Sequence, residues 1–305
     1  MMSSSLAGCG VLLTAHGSVE SLDELPHFLS RIRRGRPLPV EVLEEVKRRY
    51  QAVGGSPFLA LTRRVASRLT EQLHLPVFVG MRLSEPGLAE ALHAARSGGV
   101  TDLAVVPLAP HSVHVYVEAV ERARAALPEP LPRLRPVAPW GTEPGFVAAH
   151  VRALRAVTEG VNEPTEIVLS VHSLPVQVIR AGDPYTALVE SSARAIAEQL
   201  QLPVRVAFQS LGMDGGEWLQ SSLSVALANA AGRGVRRVIV DPLGFVCEHV
   251  ETLYDLDIEA RAIAERLGLA WVRVPALNDD PGFIDTLTNL AVRTLAGAAE
   301  SQRHS

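Results

Sequence analysis

Short runs of β-branched and aliphatic residues recur along the chain and alternate with longer stretches of helical period. The runs are Val11–Ala15, Val77–Gly80, Asp102–Pro107, Arg133–Val137, Ile167–Val171, Val204–Phe208, Arg237–Asp241 and Trp271–Val274. Most are apolar with little polar alternation, the pattern of strands covered on both faces. Between them, Leu59–Leu73, Leu88–Ala95, Val113–Ala126, Tyr185–Leu200 and Glu248–Leu267 repeat apolar residues at helical spacing. Strand–helix alternation of this kind predicts an α/β protein built on parallel sheets with helices on both faces.

The pattern is also doubled. Leu12–Ser18 (LLTAHGS) echoes Val168–Leu174 (VLSVHSL): an apolar strand, a histidine, then small polar residues. Ala104–His111 (AVVPLAPH) echoes Val238–Phe245 (VIVDPLGF), each an apolar strand running into Pro-Leu. The expected architecture is two similar doubly wound, Rossmann-like lobes, residues 1–140 and 141–305, whose four-stranded parallel sheets face each other across a cleft. The turn-rich stretch Pro139–Gly145 marks the boundary, and the last helix packs back on the first lobe. Ligands of open α/β sheets bind outside the C-terminal strand ends. His16, His111, His172 and Pro242 are therefore expected to line the cleft.

Composition narrows the function classes. With 305 residues, 47% of them hydrophobic, the chain can build sizeable cores. A net charge of −4 argues against a general nucleic-acid-binding protein. Lys47 is the one lysine beside many arginines, so arginines carry meaning only where they cluster. Two cysteines, Cys9 and Cys247, can form neither a disulfide framework nor the thiolate set of an iron–sulfur cluster, and they point to a reducing cytoplasm. The segment MMSSSLAGCG lacks the basic start of a signal peptide, and no apolar stretch is long enough to span a bilayer. The polar tail Ser301–Ser305 is expected to be disordered.

Three groups of residues invite chemistry. The strand Ile167–Val171 delivers His172 to its tip, where Ser-Leu-Pro reverses the chain and Gly182-Asp183-Pro184-Tyr185 adds a second turn. A neutral imidazole there can accept a proton or bind a borderline metal. Glu251, Asp255 and Glu259, spaced four apart on the helix expected after Pro242, form one stripe. No arginine interrupts them before Arg261, so a divalent cation would relieve their repulsion. Glu251, nearest the strand end, is the candidate for direct chemistry, with Asp255 and Glu259 as outer positions; His249 is expected on the opposite helix face in a structural role. Arg33-Arg34-Gly35-Arg36 is the densest basic cluster and suits carboxylates of an acidic ligand. Gly54-Gly55-Ser56-Pro57 makes a loop without the Walker pattern, and Trp218 can pack on a flat ligand or in the core.

Together these motifs resemble ferrochelatase, from about Val11 to Leu290. The resemblance rests on V-H-S-L-P at Val171–Pro175, G-D-P-Y at Gly182–Tyr185, Q-S-x-G at Gln209–Gly212 with Trp218-Leu219, and PLGFVCEHVETLYDLD at Pro242–Asp257. IRRGR at Ile32–Arg36 and RRYQAVGGSP at Arg48–Pro57 resemble the water-soluble, coproporphyrin-using branch. The resemblance implies insertion of ferrous iron into a porphyrin, coproporphyrin III or protoporphyrin IX, in haem biosynthesis. It implies His172 and Glu251 as the inner metal and proton site, with Asp255, Glu259 and Arg49 as an outer metal position. Arg33 and Arg34 would lie near the propionates, and Ser56, Trp218 and His16 would contact the porphyrin. Iron is then a substrate, no cofactor or iron–sulfur cluster is required, and neighbouring haem-pathway enzymes are transient partners.

Two departures stand out. His16 occupies a place where the family usually has Tyr or Met, as a metal ligand or as a hydrogen-bonded structural residue. Gln220-Ser221 replaces Gly-Pro after Trp218-Leu219. Ala15–Ser18 (AHGS) also resembles the smaller sirohydrochlorin chelatases, so a chelatase for another tetrapyrrole is the nearest alternative. A haem or porphyrin carrier is a different class; it needs a slot and an axial ligand but not the acidic row. Inserting a metal releases two pyrrole protons and requires the ring to distort, so His172 would take a proton or hold the metal while Glu251 assists proton removal.

Overall fold

The computed structural model describes residues 6–210, 216–219 and 222–303. They fall into two compact units. The first comprises Met1–Arg48, Gly55–Trp140 and Asn278–Ser305; the second comprises Arg49–Gly54 and Gly141–Leu277.

The first unit holds β1 (Cys9–Ala15), β2 (Val77–Met81), β3 (Asp102–Pro107) and β4 (Arg133–Pro136), in the order β2-β1-β3-β4. The second holds β5 (Thr165–His172), β6 (Val204–Gln209), β7 (Arg237–Asp241) and β8 (Ala270–Arg273), in the matching order β6-β5-β7-β8. Every pairing is parallel. All eight strands match the apolar runs, with small shifts at the ends. β5 runs one residue further than expected, so His172 is its last strand residue.

Central strands without polar alternation follow from cover on both faces. Val11, Leu12 and Leu13 of β1 and Leu103–Val106 of β3 have no exposed surface. In the second unit Val168, Val238 and Val240 pack with Leu256 and Ala260. Helices Phe58–Leu73 and Tyr185–Leu200 each end on a residue in the left-handed region, His74 (φ 53°) and Gln201 (φ 62°).

The segment from Asn278 belongs with the first unit, so the second ends at Leu277 rather than running on to residue 305. Its helix, Pro281–Arg303, packs against β3 and helix Phe58–Leu73, and Phe283 lies 6.0 Å from the buried Trp140 ring. The tail expected to lack structure therefore continues this helix to Arg303; the last two residues lie outside the described ones.

One element departs in kind. The stretch Glu248–Leu267 is not one α-helix. Val250 and Glu251 open it, Thr252–Ala260 is π-helical, and Arg261–Arg266 is α. Wider i→i+5 turns are rare and favour functional sites. Apolar periodicity could not reveal them, because Leu256 and Ala260 still reach the core at an interval that suits both helix types. Among the described residues, no helix is long and apolar enough to cross a membrane.

Candidate metal and proton site

The second unit gathers the expected inner pair at the tip of β5. His172 Nε2 lies 3.6 Å from Glu251 Oε2, and both side chains are partly exposed. The other ring nitrogen, Nδ1, donates to the Ser173 carbonyl at 2.5 Å. A carbonyl oxygen can only accept, so the proton of a neutral ring sits on Nδ1. Nε2 then presents its lone pair on the side of Glu251, where it can take a proton or a metal. Tyr185 hydroxyl donates to the His172 carbonyl at 2.8 Å and fixes the strand end. The G-D-P-Y turn thus supports the histidine directly. Gly244 lets the β7 loop lie against this tip, since a Cβ there would sit 3.1 Å from Val171 Cα.

The outer row forms around Arg49. Its Nη1 bonds Asp255 Oδ1 at 3.0 Å, Nη2 lies 3.7 Å from Glu259 Oε1, and the guanidinium sits 4.9 Å over the Tyr254 ring. Ser210 donates to the other Asp255 oxygen. Burial and the nearby Glu251 charge push the Asp255 carboxyl up to about 7, outweighing the Ser210 bond and Arg49. The salt bridge alone would suggest a lowered value, but only 8% of the Asp255 side chain is exposed, and desolvation wins. Asp255 therefore changes protonation near neutrality. Glu259, by contrast, is 44% exposed. Among the described residues, no three His, Cys, Asp or Glu side chains converge tightly enough to cage an ion. The expected ligands stand as an inner pair and an outer row, not as one coordination sphere.

His249 is not on an opposite helix face. It precedes the helix, and its Nδ1 accepts the Glu251 backbone N–H at 2.9 Å. Its ring packs edge-on against Phe245 at 4.6 Å. Burial holds it below the usual imidazole range, against the raising influence of Glu251 and Glu248. It is a neutral neighbour of the inner pair. Position counting misplaced it because the helix begins only at Val250. Ser210 was legible within the Gln-Ser motif but had no assigned role.

Other candidates lie elsewhere. In the first unit His16 stands at the tip of β1, its ring 6.4 Å from Phe28 and perpendicular to it. Gly17 follows with φ 106°, and a Cβ there would come within 2.6 Å of Ser84 Oγ, so the sharp turn after His16 needs glycine. His16, the arginines Arg31, Arg34, Arg82 and Arg122, and the glutamates Glu85, Glu90 and Glu118 line a cavity of about 1060 Å³ within this unit, with Arg31 paired to Glu85 and Arg122 to Glu118. Arg33 is not on that wall; its Nε donates to the Pro37 carbonyl of its own loop at 2.8 Å. Ser56 Oγ accepts the Phe58 N–H at 3.5 Å, a helix-start contact. Trp218 is half-buried and bridges Pro175, beside the His172 loop. Gly212 and Gln220-Ser221 lie outside the described residues.

Comparison with known proteins speaks to the family of the whole chain. The ferrochelatase family model matches residues 8–295. A ferrochelatase of Acidobacterium capsulatum is 34% identical over 301 residues, covering 92% of this chain and 93% of its own. A coproporphyrin III ferrochelatase of Geobacillus kaustophilus is 32% identical, covering 97% of this chain and 98% of its own. Among solved structures, SirB from Bacillus subtilis with Fe³⁺ superposes with a TM-score of 0.59 at 16% identity, covering 96% of this chain and 98% of its own, which speaks to fold alone. The chain belongs to the ferrochelatase family, the enzymes that insert ferrous iron into a porphyrin in haem biosynthesis.

Proposed function

We propose that His172 and Glu251 are the catalytic pair, receiving iron and the pyrrole protons, and that Asp255, Glu259 and Arg49 form an outer position that feeds them. The observation that carries this reading is the His172–Glu251 approach at 3.6 Å with the imidazole lone pair on Nε2. Protons taken at Nε2 pass to Glu251, and Asp255, titrating near 7, exchanges them with solvent along the row. Iron is substrate; no cofactor and no iron–sulfur cluster takes part.

The porphyrin is coproporphyrin III in preference to protoporphyrin IX. Support comes from Arg34 and Arg82 on the cavity wall of the first unit, which suit substrate carboxylates, and from relatives named for that substrate. Arg34 is the leading carboxylate partner and Arg33 an outer one, with Ser56 and Trp218 as further contacts to the macrocycle. His16 is a macrocycle contact and a ligand for iron, since imidazole binds borderline divalent metals well. The setting is the cytoplasm, and contact with neighbouring haem-pathway enzymes is brief.

Anaerobic Fe²⁺ insertion, followed by visible absorption with coproporphyrin III and protoporphyrin IX side by side, tests the reading. The expected result is faster insertion into coproporphyrin III. Equal or greater efficiency with protoporphyrin IX overturns the substrate assignment. Porphyrin binding without any insertion overturns the catalytic one and leaves a carrier.

A further inference from the structure

We propose that Arg273 is a positioning residue for iron insertion: by gripping Glu248 and Asp257 together it holds the π-helical turn that starts directly after Glu251 and carries Asp255. The inference rests on the catalytic reading above. Arg273 is the last residue of β8 and its side chain is only 13% exposed. Its Nε and Nη2 reach the two oxygens of Asp257 at 2.5 and 2.8 Å, a planar two-pronged grip. Its Nη1 reaches Glu248 Oε1 at 2.6 Å. The same Glu248 oxygen accepts the Ala276 N–H at 2.9 Å, and Oε2 accepts the Thr252 hydroxyl at 2.6 Å. Thr252 Oγ1 in turn accepts the His249 N–H at 3.0 Å, and His249 receives the Glu251 N–H. One guanidinium, anchored in a sheet, thus fixes the chain both before and after the residues that do chemistry.

The first unit supplies an independent control. Counted from the Pro-Leu pairs at Pro107 and Pro242, the places of Glu248 and Asp257 fall on Val113 and Arg122. Arg273 pairs in register with Val240, two residues before Pro242; Pro136 pairs with Val105, two before Pro107. All three members of the grip are therefore missing from the first unit, and there the corresponding helix, Val113–Ala125, is an ordinary α-helix. A π-helical turn is a rare conformation that needs outside support. The grip and the turn occur together.

The test uses the full chain, once wild-type insertion has been demonstrated, so that a failed grip is distinguishable from a failed catalytic reading. R273Q and D257N are compared with wild type for kcat, KM for Fe²⁺, KM for porphyrin and melting temperature. The expected result is a KM for iron raised at least about tenfold in both variants, with KM for porphyrin within about twofold. R273K, which cannot make the two-pronged bond, should recover only part of the loss, and R273Q/D257N should lose no more than R273Q alone, because R273Q already removes the Asp257 bonds. Should R273Q fail to fold, D257N alone decides. Unchanged iron KM in folded D257N overturns the proposal. So does a loss spread equally over iron and porphyrin, which would mark the grip as general scaffolding.

Discussion

At corresponding places the two units carry opposite chemistry. From Pro242, offsets of 9, 13 and 17 residues reach Glu251, Asp255 and Glu259; from Pro107 they reach Tyr116, Val120 and Arg124. The strand orders are the same, and a histidine ends the second-position strand in one unit and follows it in the other. Yet the first unit fills the row with an aromatic ring, a fully buried core valine and a cation, on an α-helix. The second fills it with carboxylates, Glu251 at the start of a π-helix and Asp255 and Glu259 on it. In the first unit the cavity wall mixes Arg31, Arg34, Arg82 and Arg122 with Glu85, Glu90 and Glu118; Arg31 pairs with Glu85 and Arg122 with Glu118, while Arg82 lies over the Tyr116 ring at 6.0 Å. Under the proposed function one scaffold yields an anion-receiving half and a cation-receiving half, and the difference lies in the side chains and in the helix type that bears them.

The sharpest way to break this contrast is His172→Ala. It should lower kcat by at least about a hundredfold, the usual scale for losing a positioned acid–base group, while porphyrin binding, read by fluorescence quenching, survives. Tyr116→Phe in the first unit should change kcat by less than about twofold; a comparable loss there would dissolve the distinction. Glu251→Gln should remove most of kcat while keeping volume, whereas Asp255→Asn and Glu259→Gln should act chiefly on apparent iron affinity. Equal losses at all three positions would contradict an inner pair and an outer row.

On the anion side, Arg34→Ala should raise KM for coproporphyrin III by about tenfold or more, since a well-formed charge-assisted bond contributes about 1.5–3 kcal/mol. Arg33→Ala should do less, because its guanidinium is engaged with Pro37. Identical effects would mean that both arginines serve the substrate. His16→Tyr should shift the visible spectrum of the haem–protein complex; an unchanged spectrum would leave His16 structural.

The smallest effect concerns stability. Asp255 has a folded value near 7 against an ordinary 3.8, so the folded chain holds this proton more tightly than the unfolded one. Stability from this group is complete below about pH 3.8 and is lost as pH rises to about 7. Asp255→Asn should flatten that part of the melting-temperature profile, measured without metal. A profile that keeps the wild-type slope would show that the proton resides elsewhere.

Much of the fold is legible in the amino-acid sequence. The central strands stood out because parallel strands covered on both faces must be apolar; His172 and Glu251 stood out by their places near strand ends, and their pairing was what the ferrochelatase resemblance implied. Three things were not legible, each for a reason. Residues four apart share a face in either helix type, so the π-turn left no trace in the apolar pattern. Arg273 is remote in sequence from Glu248 and Asp257, and parallel pairing, which brings β8 beside β7, has no local signal. Arg33 and Arg34 are adjacent in sequence, yet the left-handed backbone at Arg34 (φ 53°) sends them to different surroundings.

The return of the final helix to the first unit has a consequence for how the chain is made. Residues 281–303 leave the ribosome after the whole of the second unit, yet they cover β3 and Trp140 in the first. Apart from the short insert Arg49–Gly54, the second unit is one continuous stretch and can close as soon as it emerges. The first unit, begun earlier, must wait with part of its core uncovered. Released chains truncated after residue 277 should therefore show a protease-resistant second unit and a protease-sensitive first one, although the first is synthesised before it.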